Sequence, residues 1–402
     1  MTAILSFLKD LFPPPCHDRV YLVGGTVRDM LMGREGQDID LVAALSETEL
    51  TALGFHAVEP TSGATIYFKH HPEFGKIEIT RIATVDDLEE DLLQRDFTVN
   101  AMAMDLSGKH FDPLGGRDDL NGKVLRACSL CTFTTDPLRI FRAFRFEADG
   151  WRMTPESAEL IRGQDWSEAF SSMPVERFSA EMLKAFAGTS PERFFEQMID
   201  FNIGAEFLPE LFRMVQTPAG PLQHHPEGDL LSHSIQVLQR VAATSYDPLA
   251  RFCAFFHDIG KLATDPSLYP RHHGHDNAGF SMAVDFCNRL RLSATHRKAL
   301  AWISSLHGKA NKWDELRDAT KVTMAEQAVK AGIIGILPLV AAADKAGGVS
   351  MARWDEAVRV AGMSARELGV DQEKLEAMPV KNRAAFILQK RVEELRGKLL
   401  TV

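Results

Sequence analysis

The sequence predicts an α+β fold in which a small mixed sheet is followed by a long helical region. Short β-type runs alternate with helix signals up to about residue 125, and helix signals dominate from Asp136 onward. A chain of 402 residues is long enough for two or three compact units. We therefore predict a mixed-sheet head at 1–125, an all-helical neck at 126–215 and a helical body at 216–402.

The head is predicted to contain four strands and two helices. The strands are expected at 20–23, 38–42, 66–69 and 76–80. The helices are expected at 26–32 and 46–53. Ser46 and Glu49 stand at the positions of a capping box, which supports the start of the second helix.

The helical region begins with Asp136-Pro137, which places an N-cap before a proline at the first helical position. Further helices are expected near 155–164, 174–187 and 191–200. The segment 216–228 is rich in Pro, Gly and Gln, and we interpret it as a linker. Nearly all of the sequence after 229 has a helical pattern.

The composition excludes several classes of protein. With 45% hydrophobic and 25% charged residues, the chain is typical of globular proteins. A formal charge of −10 disfavours nucleic-acid binding through the whole surface but leaves room for a local basic cleft. Neither a long apolar run nor a signal-peptide pattern is found, so we expect a cytoplasmic location and neither a membrane nor DNA as partner.

The five cysteines are odd in number and have no framework spacing. Cys128 and Cys131 form a C-x-x-C pair without the second pair of ligands that a zinc site needs. We interpret the cysteines as reduced and structural.

A Gly24-Gly25 pair between a predicted strand and helix is suited to phosphate binding. Glycines let the backbone approach a ligand closely, and the first helical turn offers free amides to a phosphate. Arg28 adds a cationic fork one turn later. The alternative is a tight strand-to-helix turn without a ligand.

Two carboxylates at Asp38 and Asp40 lie on the same face of a predicted strand. Their mutual repulsion would be relieved by a divalent cation, and Mg²⁺ prefers carboxylates together with substrate phosphates. Glu78, on another predicted strand, is a candidate third catalytic carboxylate. The alternative is a solvated strand face.

These residues resemble the signature of class II tRNA nucleotidyltransferases and bacterial poly(A) polymerases. The matching runs are GGTVRDMLMG at 24–33, D-x-D at 38–40, RDFTVNAMA at 95–103, DPLRIFRAFRF at 136–146, and ER at 176–177 with Glu181 and Lys184. The resemblance implies Mg²⁺ at Asp38 and Asp40 in the head. It also implies that the nucleotide is bound by Gly24, Gly25, Arg28, Arg95, Asp96, Asn100, Asp136, Arg139 and Arg142.

The resemblance implies that Asp136 and Arg139 read the base. A carboxylate can accept from the exocyclic amine that CTP and ATP share, and a guanidinium can donate to ring or carbonyl acceptors. The alternatives are that Asp136 is only a helix N-cap and that Arg139, Arg142 and Arg145 form a solvated helix face.

The sequence departs from the family at three places. Gln94 and Thr135 stand where the family usually has Arg and Glu. The segment 81–88 is shorter than the flexible loop that complete CCA-adding members carry there. The short segment resembles that of enzymes that add only two C residues, or it is a compact variant of the longer loop.

The body contains a second group of candidate metal ligands. Nine of the fourteen histidines lie between 224 and 307, and His257-Asp258 interrupts an apolar helical run. Imidazole and carboxylate ligands from several helices suit a divalent transition metal, which would activate a water for phosphoester hydrolysis. The set comprises His233, His257, Asp258, His275, His307 and Asp344.

The order of these residues resembles the HD phosphohydrolase superfamily. The resemblance implies that His233, His257, Asp258 and Asp344 bind a metal whose identity is open. His275 and His307 would bind a second metal or the substrate phosphate, and Lys261 would contact phosphate. His272 and His273 are interpreted as solvated loop residues, and an inactive HD fold is the alternative for the whole set.

We predict a tRNA nucleotidyltransferase that adds C, and on the open alternative also A, from CTP and ATP by a two-metal mechanism. A second, phosphohydrolase activity is expected from the HD body. The alternatives are a poly(A) polymerase, an HD phosphohydrolase with a vestigial head, and a non-catalytic RNA-binding protein.

Overall fold

The computed structural model describes residues 2–34, 38–58, 65–345 and 347–397. The chain forms two compact units, Met1–Trp166 and Ser167–Val402. The first unit contains a seven-stranded mixed sheet, and the second is helical, which confirms the predicted α+β fold class. The finer division into head, neck and body at 125 and 215 stays a prediction.

The strands of the first unit form one main sheet and one small ribbon. They are β1 Val20–Val23, β2 Ile39–Ala43, β3 His56–Val58, β4 Ile66–His71, β5 Gly75–Arg81, β6 Ala103–Asp105, β7 His110–Phe111, β8 Val124–Leu125 and β9 Arg152–Met153. The main sheet has the order β3-β4-β5-β2-β1-β6-β7, and β8 pairs with β9. Within the main sheet, β2 and β5 run parallel while the other neighbours are antiparallel.

The helices of the first unit are α1 Thr2–Leu11, α2 Gly24–Leu31, α3 Glu47–Ala52, α4 Leu88–Leu93, α5 Gly116–Gly122, α6 Thr132–Thr135, α7 Leu138–Ala148 and α8 Pro155–Arg162. The predicted capping box is confirmed, because Ser46 and Glu49 exchange both hydrogen bonds at the start of α3. Helix α2 begins at Gly24, two residues earlier than predicted.

The start of α7 differs by one residue from the prediction. Pro137 is the N-cap residue rather than the first helical residue, and α7 begins at Leu138. The Asp136 carboxylate still caps this turn, because it accepts a hydrogen bond of 3.2 Å from the Leu138 N–H.

The helices of the second unit confirm the predicted helical character. They are α9 Ser167–Ser171, α10 Val175–Ala185, α11 Glu192–Phe201, α12 Pro209–Gln216, α13 Leu230–Ala242, α14 Pro248–Phe256, α15 His275–Arg289, α16 Ala294–Ala310, α17 Asp318–Ala331, α18 Ile336–Asp344, α19 Trp354–Gly362, α20 Gln372–Ala377 and α21 Val380–Gly397. Among the described residues no single helix is long and apolar enough to cross a membrane, although α17 and α18, bent by 118°, would pass together by length and composition.

An aromatic core holds α14 in the middle of the second unit. Phe195 of α11 stacks on Phe255 of α14 with ring centroids 4.0 Å apart, and Phe186 meets Phe252 edge to face. These rings are fully buried. Because α14 is fixed in this core, His257, which caps its C-terminus, is also fully buried.

Candidate active sites

The turn from β1 into α2 brings the Gly24-Gly25 pair against the carboxylate of Asp40. Gly24 has a φ of +64°, which L side chains rarely adopt. A Cβ on Gly24 would lie 2.9 Å from Nη1 of Arg95 and 3.5 Å from Oδ2 of Asp40. Only glycine therefore lets the backbone approach Asp40 and Arg95 this closely.

Three predicted carboxylates lie on or next to the paired strands β2 and β5. Asp40 pairs in register with Glu78 across the parallel strands, and Asp38 lies just before β2. Oδ1 of Asp38 accepts a hydrogen bond of 3.1 Å from the Lys76 N–H, and Lys76 Nζ lies 3.0 Å from Glu78.

The charge balance around Asp40 fits a cation. Burial raises the pKa of Asp40; Arg95 opposes this rise, while Glu78 and Asp38 add to it. Crowded like charges are relieved when a divalent ion binds. The charges around Asp40 therefore favour a cation there, although Asp38, Asp40 and Glu78 do not form one of the groups of close ligand atoms found among the described residues.

A chain of hydrogen bonds links the predicted nucleotide-binding residues Arg28, Asn100, Asp96 and Arg142. Nη1 of Arg28 donates to Asn100 at 2.6 Å, and Asn100 donates to Asp96 at 2.9 Å. Arg142 donates to the other oxygen of Asp96 through Nε at 2.9 Å and lies 2.7 Å away through Nη2. Burial raises the pKa of Asp96, but Arg142 and Asn100 outweigh it and hold the pKa at about 2.

Arg95 is held by a residue that we did not predict. Asp91, one turn earlier on α4, accepts hydrogen bonds of 2.8 and 3.1 Å from Arg95. Their spacing of four residues is that of neighbours on a helix face, and it is the signal that could have revealed the pair. Asp91 thus fixes the guanidinium that lies against Gly24.

The two predicted base-reading residues lie on one turn at the start of α7. The Arg139 guanidinium donates to the backbone carbonyls of Gln94 at 2.7 Å, Thr132 at 3.2 Å and Arg95 at 3.3 Å. Arg139 and Arg142 are therefore not a solvated helix face, since both are half-buried and engaged. The Arg145 guanidinium lies over the Phe146 ring, 4.2 Å from its centroid.

The predicted HD ligands come together in the second unit. One ligand atom from each of His233, His257, Asp258 and Asp344 lies within 4.8 Å of the others. Nε2 of His233 lies 3.0 Å from Asp344 and 3.6 Å from Asp258. Nε2 of His257 lies 3.3 Å from Asp258 and 3.4 Å from Asp344.

A second group shares Asp258. Oδ1 of Asp258 lies 3.1 Å from Nε2 of His307 and 3.5 Å from Nε2 of His275, while Oδ2 faces the first group. Lys261 Nζ lies 2.7 Å from Asp258 and donates to the Ala219 carbonyl at 2.6 Å. Each oxygen of Asp258 therefore belongs to a different cluster of ligand atoms.

The chemistry of this donor set fits divalent ions. Nε2 of His257 and Oδ1 of Asp258 are buried and have no hydrogen-bond partner in the part of the chain described. Burial lowers the pKa of His257, but Asp258 and Asp344 outweigh it and raise the pKa to about 10. The two carboxylates thus favour a positive charge at this imidazole. Either a proton on the ring or a bound metal ion can supply that charge.

Four residues around the HD ligands were missed by the sequence analysis. Glu227 and His225 contact the first group, Asp276 lies 3.2 Å from Nε2 of His275, and Asn311 donates to Asp344. They come from three segments far apart in the chain, and no local pattern marks them. Together with the ligands other than His257 they line a cavity of about 830 Å³.

The segment 216–228 and His272 differ from their predicted roles. The segment is irregular, as predicted, but it is no extended spacer, because Pro218 forms an isolated β-bridge with Asp229. His272 is not solvated, since its Nε2 donates to the Pro218 carbonyl at 2.7 Å.

Family models match most of the chain. The model of the "Poly A polymerase head domain" matches 20–82 and 59–126. A "Probable RNA and SrmB- binding site of polymerase A" matches 152–214, and an HD domain matches 230–337.

Relatives and solved structures agree with these matches. The Multifunctional CCA protein of Methylococcus capsulatus is 35% identical over 326 residues, which cover 77% of this chain and 76% of the relative. That of Vibrio cholerae is 34% identical over 321 residues, which cover 76% and 79%. The crystal structure of the Bacillus stearothermophilus CCA-adding enzyme in complex with CTP shares the fold, with a TM-score of 0.62 and 23% identity over 90% of this chain and 82% of that one.

Proposed function

Because the chain belongs to the family of the Multifunctional CCA proteins, we propose that it is a tRNA nucleotidyltransferase that extends the tRNA 3′ end with C from CTP, and with A from ATP if it adds the complete CCA end. The observation that carries this proposal is the close approach of the Gly24 backbone, the half-buried carboxylate of Asp40 and the guanidinium of Arg95. The amides of the first helical turn and this guanidinium would bind the phosphates of a nucleotide next to the carboxylates that would hold Mg²⁺.

In the proposed reaction, the RNA 3′-hydroxyl attacks the α-phosphorus and pyrophosphate leaves. Asp38 and Asp40 would hold Mg²⁺, with Glu78 beside them, and the metal would lower the barrier by stabilising the attacking and leaving oxygens. Gly24, Gly25 and Arg28 would cradle the triphosphate.

The remaining nucleotide-binding residues would place the base. Arg95, Asp96 and Asn100 would orient the nucleotide, and Asp136 and Arg139 would select a base that offers an exocyclic amine, with Arg142 nearby. The contacts of Arg139 to three backbone carbonyls support this role, because the protein itself then fixes the position of the guanidinium, and no nucleic-acid template is needed. tRNA would be held by backbone and shape contacts.

We infer that the product is extended by C residues only. Strand β5 ends at Arg81 and α4 begins at Leu88, with one 3-10 turn, Val85–Asp87, between them. The N–H of Thr84 donates to Asp87 at 2.8 Å, which closes this turn on itself. This short, closed segment cannot extend as far as the longer flexible loop that complete CCA-adding enzymes carry at the same place.

The test uses tRNA that ends at the discriminator base and tRNA that ends in CC, each with labelled CTP or ATP. Incorporation of C on the first substrate alone supports C addition, and incorporation of A on the second overturns it. Long A tails on any RNA would favour a poly(A) polymerase. Asp40→Ala should abolish every incorporation, while Asp105→Ala, in β6 of the same sheet, serves as the control.

We further propose that the HD residues form a phosphohydrolase centre with up to two divalent ions. His233, His257, Asp258 and Asp344 would hold one ion, and His275 and His307 would hold a second ion or the substrate phosphate, with Lys261 beside Asp258. The shared carboxylate of Asp258 supports two neighbouring ions. Such ions would supply Lewis-acid activation of a water for the hydrolysis of a phosphoester.

The hydrolytic activity is tested on 2′,3′-cyclic nucleotides with Mn²⁺, Co²⁺, Ni²⁺ or Mg²⁺. Loss of hydrolysis in His257→Ala, with CTP incorporation retained, supports two separate sites. Hydrolysis that survives this substitution overturns the assignment. A cytoplasmic location, with neither a membrane nor DNA as partner, stays a prediction.

A further inference from the structure

The loop at 217–229, between α12 and α13, closes on itself beside the HD ligands. The N–H of Leu230 donates to Thr217 at 2.8 Å, and the N–H of Ala219 donates to Gly228 at 2.9 Å. These two backbone hydrogen bonds pair the two ends of the loop with each other. The residues between them are therefore held in one compact turn.

Two side chains of the segment 261–272 also hold this loop. Lys261 donates to the Ala219 carbonyl at 2.6 Å, and His272 donates to the Pro218 carbonyl at 2.7 Å. Inside the loop, a Cβ on Gly220 would lie 2.3 Å from Cδ2 of His225, so glycine is needed for this ring to pack there. The loop thus has a defined position over the ligands.

The loop delivers one carboxylate to the first ligand group. Oε1 of Glu227 accepts hydrogen bonds from Nδ1 of His233 at 2.8 Å and from Nδ1 of His225 at 3.0 Å. The Glu227 side chain is 8% exposed and that of His233 is 2% exposed. Water is therefore largely excluded from this contact.

The four histidines of the HD cluster are oriented in the same way, with one difference. Each presents Nε2 to Asp258 or Asp344 and bonds through Nδ1 to an acceptor behind it. For three of them the acceptor is a backbone carbonyl: that of Ala254 behind His257, His272 behind His275, and Ser304 behind His307. For His233 it is the side chain of Glu227.

We propose that Glu227 is a positioning residue that orients His233 for metal binding and raises the basicity of its Nε2. A carboxylate that accepts from Nδ1 fixes the tautomer in which Nε2 is free to ligate. A charged acceptor also strengthens the ligand more than a neutral carbonyl does. The proposal rests on the proposed HD metal centre, to which it adds Glu227 as a residue that acts on the metal through His233.

The test is metal binding by the full-length protein, stripped with a chelator and titrated with Co²⁺. Calorimetry gives the affinity and the number of ions, and the visible absorption of bound Co²⁺ reports the ligand set. Glu227→Ala should weaken binding about 10–100-fold with the number of ions unchanged. Glu227→Gln, which keeps an acceptor without the charge, should lose less.

The matched control is Glu206→Gln, which makes the same change at an exposed position. It should bind Co²⁺ as the wild type does. Thermal unfolding of each stripped variant shows whether it is folded. A purely structural role would lower the melting temperature of the stripped protein and leave the affinity of the folded fraction unchanged, which would overturn the proposal.

Two further outcomes separate this proposal from the metal centre itself. If Glu227→Ala binds one ion fewer at unchanged affinity, Glu227 is a direct ligand together with His225, and the positioning role is wrong. If the wild type binds no Co²⁺, the proposed HD centre is wrong and the role of Glu227 falls with it. Equal affinity in the wild type and in Glu227→Ala overturns only the role of Glu227.

Discussion

Arg142 of α7 grips one oxygen of Asp96 with both Nε and Nη2, at 2.9 and 2.7 Å. The Asp96 side chain is 7% exposed and that of Arg142 is 33% exposed. The contact joins α7 to the segment that follows α4, and both segments carry predicted nucleotide-binding residues. The pair therefore both stabilises the tertiary structure and forms part of the proposed site.

Removal of Arg142 should destabilise the protein. Arg142→Met leaves the buried carboxylate of Asp96 without its cation, which costs about 3–5 kcal/mol for a fully buried pair, and the partial exposure of Arg142 places the loss near the lower figure. Urea unfolding measures the change. Arg152→Met, an exposed arginine of the same unit, should change the free energy of unfolding little, and equal losses in the two variants would contradict the prediction.

The acid limb of the stability curve should depend on Asp96. Its pKa is about 2 in the folded protein, below its ordinary value, so the unfolded chain binds this proton first as the pH falls. The stabilisation is fully present above about pH 4 and is lost between about pH 4 and 2, by about 2 kcal/mol. The free energy of unfolding of Asp96→Asn should fall less steeply than that of the wild type across this range, and parallel curves would refute the idea.

Substitution of Gly24 should abolish nucleotide addition. Gly24→Ala places a Cβ 2.9 Å from Arg95 in addition to the strain of a φ of +64°. Gly33→Ala carries similar strain, at a φ of +69°, with nothing within 4 Å of its Cβ. Both variants should lose about 1–2 kcal/mol of stability, but only Gly24→Ala should lose CTP incorporation. Equal incorporation by the two variants would show that the close approach at Gly24 is not needed for nucleotide addition.

Loss of Asp91 should weaken nucleotide use rather than folding. Asp91→Asn removes the charge that holds Arg95, and a hydrogen bond to a charged group is worth about 1.5–3 kcal/mol, so kcat/KM for CTP should fall about 10–100-fold. Steady-state kinetics checks this. Glu90→Gln, on an exposed face of the same short helix, is the control, and a similar fall in that variant would point to the helix rather than to Arg95.

Gly308 should be essential for the second cluster of HD ligands. A Cβ on Gly308 would lie 2.8 Å from both oxygens of Asp276, which would have to move away from His275 and His307. Gly308→Ala should therefore weaken metal-dependent hydrolysis about 10–100-fold. Gly335→Ala, where nothing lies within 4 Å of the new Cβ, should keep the wild-type rate, and full activity in Gly308→Ala would contradict the prediction.

The residues with a chemical pattern in the sequence were predictable. The order of histidines and aspartates predicted the HD group, and His233, His257, Asp258 and Asp344 do lie together. Same-face spacing placed Asp38 and Asp40 on one strand, although β2 itself begins only at Ile39. Hydrophobic and capping patterns likewise placed the predicted strands and helices within about two residues, but they did not predict the strands β3, β6, β7, β8 and β9 or the helices α1, α4, α5 and α6.

The residues that act on other side chains were not predictable. Glu227 sits in a segment whose composition indicates only a linker, and its contact with His233 exists because the loop closes through backbone bonds. Asp276 and Asn311 reach the site only when α15, α16 and α18 pack together. Such contacts depend on tertiary packing, which leaves no periodic trace in the chain.

The backbone acceptors behind His257, His275 and His307 make this cluster part of the helical scaffold. Because these hydrogen bonds fix the three imidazole rings, the rings keep their orientation without a metal ion. Metal binding would therefore require no refolding of the ligands. In the proposed centre, one ion could then be exchanged for another without a change in the protein. The metal that it binds would therefore depend on the cell's supply as much as on the chain itself.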